Sequence, residues 1–426
     1  MIQMKAKTIV TVGLAATLLL TGCGRAPENG GQQADTAPLS EGPATGTVTV
    51  WAQAAEAEAL PELVKEFEAE NPGVTVEVTA IPWEAAHNKY QTAIAGGSAP
   101  DVAHMGTTWM GDFAYAFDPT PSEIDTSGFF PGPVGTTEVD GTAAGVPWYV
   151  DTRMVYYRTD LAAEAGFDTF PESWDDFKAL AKAFQSKAGA EFGVGLPTGG
   201  ADAFQSMLSF PWSNGAELLS DDGSSWTVDT PEMIEALEYY QSFFEEGISD
   251  KDAVTDAGAA ESAFVDGSTP MLFAGPSMIG QLEAVGGPEF AEKYAVARVP
   301  AKKSSTSFTG GGNLVVFKDT DNRDASWKLI QWLAQPEIQV KWNRATGDLP
   351  AIAESWDDPE LAGDPKLAEF GKQLTDTNSP PAVSTWTQVS AAADTELEQI
   401  VKAGKDPAEA MKSLQSTADS LGTGAK

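Results

Sequence analysis

The sequence predicts an α/β protein of two domains, and three observations carry that prediction. The chain has 426 residues, against roughly 100 to 200 for an ordinary domain. From residue 47 to about 145, short β-branched runs alternate with segments of helical spacing. That is the pattern of a largely parallel sheet, whose ligands bind beyond the carboxyl ends of its strands. Past Gly145 the pattern becomes a long extended run and then mainly helices, and it changes again near residue 300.

Thr47–Trp51 (TVTVW) reads as the first strand, and Leu60, Leu63, Val64 and Phe67 follow at helical spacing until Asn71-Pro72-Gly73 ends the helix. Val74, Val76 and Val78 alternate with polar residues as a second strand. Residues 84–95 read as a helix closed by Gly96-Gly97, and Pro100-Asp101-Val102 opens a third strand. The extended run is Gly145–Tyr157, leading into a helix at 160–165. Ser173 is placed to cap a helix from Trp174 to about Ser186, and Thr230 with Pro231 to start one reaching about Glu246. Residues 298–307 are polar and non-periodic; Gly310-Gly311-Gly312-Asn313 then precedes a strand at Leu314–Phe317. From 323 onward the spacing is helical, with Asp406 and Glu409 arranged as a capping box in which Asp replaces Ser or Thr.

The first segment reads as an address. Lys5 and Lys7 precede the apolar run Ile9–Leu20, which is shorter than the roughly 20 residues a bilayer crossing needs, so residues 1–22 read as a secretory signal. Leu20-Thr21-Gly22-Cys23 resembles the bacterial lipobox, which implies acylation of Cys23, the only cysteine in the chain. Residues 23–46 hold almost no large apolar side chains and read as a flexible tether. Together these predict a domain lipid-anchored at the extracytoplasmic face of the bacterial cell membrane without spanning it.

Acidic residues outnumber basic ones 62 to 26, for a formal charge of −36. So negative a surface repels phosphate backbones, which argues against nucleic acid as a partner. One cysteine and two histidines leave little for a disulfide framework or a zinc or copper site. There is no G-x-S-x-G, H-E-x-x-H, G-x-x-x-x-G-K-[ST] or C-x-x-C motif. No cofactor, metal or catalytic residue is expected. Tryptophan is more informative: of 12, several stand in turn-like places, namely Trp83 after Ile81-Pro82, Trp109, Trp148 after a proline and Trp386 after Pro380-Pro381. Flat aromatic faces suit the apolar faces of pyranose rings, and carboxylates, amides and arginine suit the hydroxyls. Trp174, Trp327 and Trp332 fall within helical patterns and read as packing residues.

The order of segments resembles the extracellular solute-binding lipoproteins of ABC transporters, specifically the maltose- and oligosaccharide-binding proteins of family 1. The resemblance runs from about residue 47 to 420. Beside the TVTVW strand it rests on AGGSAPDV (95–102), VPWYVDTRMVYYRTDL (146–161), FPESWDDF (170–177), MLFAGPSM (271–278), GGGNLVVF (310–317) and TGDLPA (346–351). It implies a two-lobe, periplasmic-binding-protein-like (type II) α/β fold with a ligand cleft between the lobes. Lobe one would take 47–150 plus 305–322, and lobe two 151–304 plus 323–426. It also implies a monomer that closes on a sugar and delivers it to the transmembrane permease.

Carried over by position, the resemblance nominates Gln53 and Glu56 after the first strand, Thr107 and Trp109 after the third, and Tyr149, Asp151 and Arg153 at the first crossing between lobes. Phe204 and Gln205 fall where the second lobe often presents an aromatic, Asn313 in the glycine run, and Trp386 where a late aromatic stacks on a sugar ring. Trp83 joins them as a loop tryptophan. Where many relatives have a tryptophan after Gly275-Pro276, this chain has Ser277. Two other readings are a lipid-anchored glycan hydrolase, which needs a carboxylate pair about 5 to 10 Å apart, and the same fold holding a peptide, polyamine or metal chelate.

Overall fold

The computed structural model describes residues 37–253, 256 and 258–424. The signal segment and Cys23 lie outside the described residues. The first alternation becomes β1 (Thr45–Gln53), α1 (Ala54–Glu70), β2 (Gly73–Ile81), α2 (Trp83–Gly96) and β3 (Val102–Gly106). Helix α1 buries Ala57, Leu60, Val64 and Phe67 along one stripe, as its spacing requires. After a small hairpin of β4 (Glu138–Val139) and β5 (Thr142–Ala143), the extended run splits into β6 (Val146–Thr152) and β7 (Met154–Arg158). The later strands are β8 (Met271–Ala274), β9 (Tyr294–Ala297), β10 (Ser307–Val316), β11 (Leu349–Pro350) and β12 (Thr377–Asn378).

Two sheets organise these strands. The larger has the order β11-β6-β10-β3-β1-β2, with β12 paired to β10; the other is β8-β7-β9. Strands β1, β2 and β3 pair in parallel, whereas β10 runs antiparallel to both β3 and β6. The expectation of a largely parallel sheet therefore holds for one half of it. The chain leaves the first lobe along β6 and returns along β10, so the returning strand must oppose the departing one. The second lobe is a three-stranded antiparallel sheet under helices Trp174–Lys187, Pro231–Glu245, Trp386–Ala403 and Pro407–Leu421. Its caps are those the sequence signals: Ser173 Oγ accepts from Asp176 N at 3.2 Å, Thr230 Oγ1 from Met233 N at 3.3 Å, and Asp406 Oδ1 from Glu409 N at 3.0 Å.

Two boundaries differ from the sequence reading. Helices Arg323–Leu333 and Pro336–Thr346 pack on α1, β1 and β10, and Trp342 stacks on Trp148 with ring centroids 4.5 Å apart. They therefore belong with the first sheet, and the last crossing lies near residue 350 rather than 323. Spacing alone shows that these helices have an apolar face but not which sheet it covers. The second difference is at the amino-terminal side, where the last residues assigned to the tether are fixed to the first lobe. Leu39 N donates to Glu123 Oε1 at 3.0 Å, Ser40 N to Asp324 Oδ2 at 3.0 Å and Ala44 N to Asn71 Oδ1 at 2.9 Å.

Candidate functional site

The crossing between lobes is a paired ribbon. Thr152 stands opposite Thr309 and Asp151 opposite Gly310 in the β6–β10 register. Thr152 Oγ1 donates to Phe308 O at 2.7 Å, and Ser307 Oγ to Arg153 O at 2.6 Å. The glycines of β10 are required by close approach. A Cβ on Gly311, whose φ is 121°, would stand 2.3 Å from Tyr149 O, and one on Gly312 2.3 Å from His104 Nε2.

On this ribbon sits an ion pair, Arg153 Nη1 to Asp151 Oδ2 at 2.5 Å, with the guanidinium 5.2 Å from the Phe308 ring. Gly275 makes room for it, since a Cβ there would stand 2.5 Å from Asp151 Oδ1. That buried Oδ1 atom has no hydrogen-bond partner among the described residues.

Beside the ribbon the first lobe gathers further polar groups. Glu56 lies in the first turn of α1, just after Ala54, which takes the left-handed conformation at φ 46°. A non-glycine residue there stores strain of the kind that marks ligand loops. The Tyr149 hydroxyl is hydrogen-bonded to Glu56 and lies 3.2 Å from His104 Nε2. Glu56 Oε2 is buried without a partner among the described residues, and burial raises the pKa of this carboxyl. Burial, then the negative charges of Glu56 and Asp348, hold the Tyr149 hydroxyl protonated far above its ordinary range. Fully buried His104 is pushed down to about 3 and stays neutral.

Asp348 is the group that the residue-by-residue reading missed. It accepts from Trp342 Nε1 at 3.1 Å. Burial first, and then the charge of Glu56, push its pKa up to about 7. The TGDLPA segment that supports the resemblance contains this aspartate, and its residue types alone do not mark the carboxylate. Asp348 lines a cavity of about 380 Å³ at the seam of the lobes. Asn343 and Thr346 flank it from the first lobe, and Ser277 with Ile279 face it from the second.

Trp83 and Trp109 form an aromatic lip on the first lobe, with centroids 4.9 Å apart at 32°. Trp83 is 40% exposed and also approaches His104 at 5.6 Å. Gly106 supports Trp109, because a Cβ there would touch the indole at 3.2 Å. Thr107 is buried in the short turn that leads into Trp109. Gln53 is buried, donating from Nε2 to Tyr90 Oη at 2.6 Å and leaving Oε1 without a partner among the described residues.

Three nominated residues stand apart from this group. Phe204 is buried in the second-lobe core, on a short helix whose entry is held by Asp394 accepting from Asp202 N and Phe204 N at 3.0 and 2.8 Å. Its apolar ring does more in the core than in a wet cleft; Gln205 beside it is half-buried. Asn313 Nδ2 donates to Thr136 Oγ1 at 3.0 Å within the first lobe, a buried pair that needs no ligand. Trp386 is 2% exposed and stacks on Trp226 at 6.3 Å. It begins helix Trp386–Ala403 but faces that helix's buried stripe, so the proline approach delivers it to the core. Among the described residues no three His, Cys, Asp or Glu side chains come together as a metal cage, and no helix is long and apolar enough to cross a membrane.

Two α/β lobes joined by paired crossings, with unpartnered acceptors and an aromatic lip on their seam, define a two-lobed ligand-binding protein. Residues 51–340 match the family described as bacterial extracellular solute-binding protein, and the chain belongs to that family. The sugar-binding protein MalE from Xanthomonas citri is similar in structure, at 32% identity and a TM-score of 0.83, over 88% of this chain and 97% of that one. Among curated relatives, a binding protein of Brucella abortus is 27% identical over 84% of this chain and 89% of its own length. The maltotriose-binding protein of Pyrococcus abyssi is 25% identical over 82% of this chain and 77% of its own.

Proposed function

We propose that the chain binds a di- or oligosaccharide between its lobes and delivers it to an ABC transporter permease by closing on it. The observation that carries this reading is the seam itself. Among the described residues Glu56 Oε2 and Asp151 Oδ1 are buried acceptors without a donor, and both carboxylates act on Asp348, which lines a cavity that both lobes share. Unmade hydrogen bonds of this kind each cost about 1 to 3 kcal/mol, and ligand hydroxyls are the donors that recover it. Trp83 and Trp109 supply the apolar face that a sugar ring needs. Tyr149, Asp151, Arg153, Glu56, Thr107 and Ser277 supply or position its polar contacts. Gln53 and Gln205 are read as further polar contacts.

The experiment is a thermal-shift screen with mono- to tetrasaccharides. A ligand at about 100 times its dissociation constant adds roughly 2.7 kcal/mol of stability, and chromatography of the recovered sugar should show it uncut. A screen in which peptides shift the melting and no sugar does would replace this reading; shortened sugar would make the chain a hydrolase. The protein is further read as a monomeric lipoprotein, acylated at Cys23 on the extracytoplasmic face of the membrane. Cys23→Ser should release it from the membrane fraction, and a mature-length chain that still sediments with membranes would end the anchor assignment.

A further inference from the structure

We propose that Gly111 sets how far the two lobes close, and through that the affinity for the sugar. This rests on the closing motion in the reading above and assigns it a residue. Gly111 lies in the short helix Met110–Phe113, two residues past Trp109. Its backbone is helical, so no left-handed φ calls for glycine there. What calls for it is a close approach. A Cβ on Gly111 would stand 2.5 Å from the carbonyl carbon of Val383 and 2.9 Å from the carbonyl carbon and oxygen of Ala382, where carbon atoms settle at about 3.5 to 4.0 Å. All three atoms are backbone, so no side-chain rotation absorbs an added carbon.

The strap that meets Gly111 is fixed to the second lobe. Val383 packs against the core that holds Trp386 and Leu397, and its carbonyl accepts from Trp386 N at 3.1 Å. Thr385 Oγ1 donates to Gly422 O at 2.6 Å, at the end of helix Pro407–Leu421. Ala382 then packs across the seam, on the first-lobe cluster of Met110 and Phe113. A polar contact lies beside it. Thr387 Oγ1 of the second lobe reaches Asp112 Oδ2 at 3.5 Å, the oxygen that His87 Nε2 approaches at 2.9 Å. His87 stands edge-on to Trp109 at 5.6 Å, which joins the contact to the aromatic lip. Alongside, a cavity of about 390 Å³ lies between Tyr115 and Phe117 of the first lobe and Ser384 and Gly424 of the second, so the lobes touch here over a narrow front. Packed lobes turning on a hinge stop where they first touch. With no side chain at 111 that point comes late, after the turn that carries Trp109 has reached helix Trp386–Ala403. An added carbon brings it earlier and penalises the closed state alone.

The test uses the Cys23→Ser chain, which has no other cysteine. Spin labels go on Gln91→Cys and Gln399→Cys, exposed positions on either side of the seam, and pulsed electron resonance reads the distance between them. That distance should lengthen from the parent to Gly111→Ala to Gly111→Leu. Melting of Gly111→Ala should be unchanged or raised, since alanine suits a helix better than glycine. Gly363→Ala makes the same exchange at a helical glycine with open space around it and should leave the distance as it is. In calorimetry with maltotriose and chitobiose, whichever binds the parent should bind Gly111→Ala about tenfold more weakly, a loss near 1.4 kcal/mol, and Gly363→Ala equally well. The proposal is overturned if both Gly111 variants keep the parent distance. It is also overturned if Gly111→Ala melts early without lengthening that distance, which would make Gly111 a packing glycine of the fold. If no sugar binds the parent, the sugar reading fails, while the label distances still decide for or against Gly111.

Discussion

Asp348 and Trp386 lie in different lobes and meet opposite surroundings. Trp386 stacks on Trp226 in a core that includes Val389, Leu397 and Ile400. Asp348 shares its surroundings with Glu56 and Asp151, both acidic and both with an oxygen lacking a donor. A buried indole among apolar neighbours is explained by folding alone. A buried carboxylate beside other carboxylates is destabilising in the free protein, so its presence calls for something outside the fold. The contrast teaches that burial alone does not sort these residues: what a side chain is buried against decides whether the fold accounts for it.

The largest expected effect tests the apolar side of this contrast. Trp386→Ala should cost about 3 to 5 kcal/mol of stability through the cavity it leaves, with sugar affinity near wild type while the protein remains folded. A variant that melts like wild type but no longer binds would move Trp386 back into the cleft.

The next effect is on the acidic side and depends on pH. Asp348 has a folded pKa of about 7, above the ordinary 3.8, so the native state binds a proton that the unfolded chain has released. Its contribution to stability therefore falls as pH rises from about 4 to 7, and the full penalty is present above 7. Asp348→Asn should stabilise the protein at pH 8 by on the order of 2 to 4 kcal/mol, the gain fading toward pH 4. Glu56, raised in the same direction, leaves a residual slope. Urea titrations at several pH values measure this, and a destabilised Asn variant at pH 8 would break the contrast.

The smallest effect concerns Trp83, which is 40% exposed. Trp83→Ala should change stability by about 0.5 kcal/mol or less yet diminish the ligand-dependent fluorescence change. A loss of several kcal/mol would make the lip a packing feature.

Much of the architecture was legible because it follows from local chemistry. The alternation of strand and helix up to 106 and the caps at Ser173, Thr230 and Asp406 depend on neighbours within a few residues. The side of the seam on which helices Arg323–Leu333 and Pro336–Thr346 pack depends on contacts with α1 and β10, hundreds of residues away in part, and spacing carries no such information. The segments that carry Glu56, Tyr149, Asp151 and Arg153 were legible, and the structure sets Asp151 beside Arg153 and Glu56 beside Tyr149. Asp348 was hidden among 62 acids, because burial and charge coupling, rather than residue type, set it apart. Trp386 misled because two prolines fix the direction of a backbone, not the face that a side chain takes.

The ribbon that joins the lobes has a consequence for length variation. Thr152 and Asp151 stand opposite Thr309 and Gly310, hydrogen bonds from Thr152 Oγ1 to Phe308 O and from Ser307 Oγ to Arg153 O extend the pairing, and side chains along such strands alternate between faces. One residue inserted at the start of β10 would exchange the faces of Phe308 and Thr309. It would carry the Phe308 ring away from Arg153 and Trp212 and put Thr309 in the place opposite Asp151 where Gly310 now stands. Two inserted residues would restore the faces while shifting every pairing. Added length in a surface loop costs little, but this junction admits almost no change in residue number, and at Gly311 and Gly312 none in residue identity.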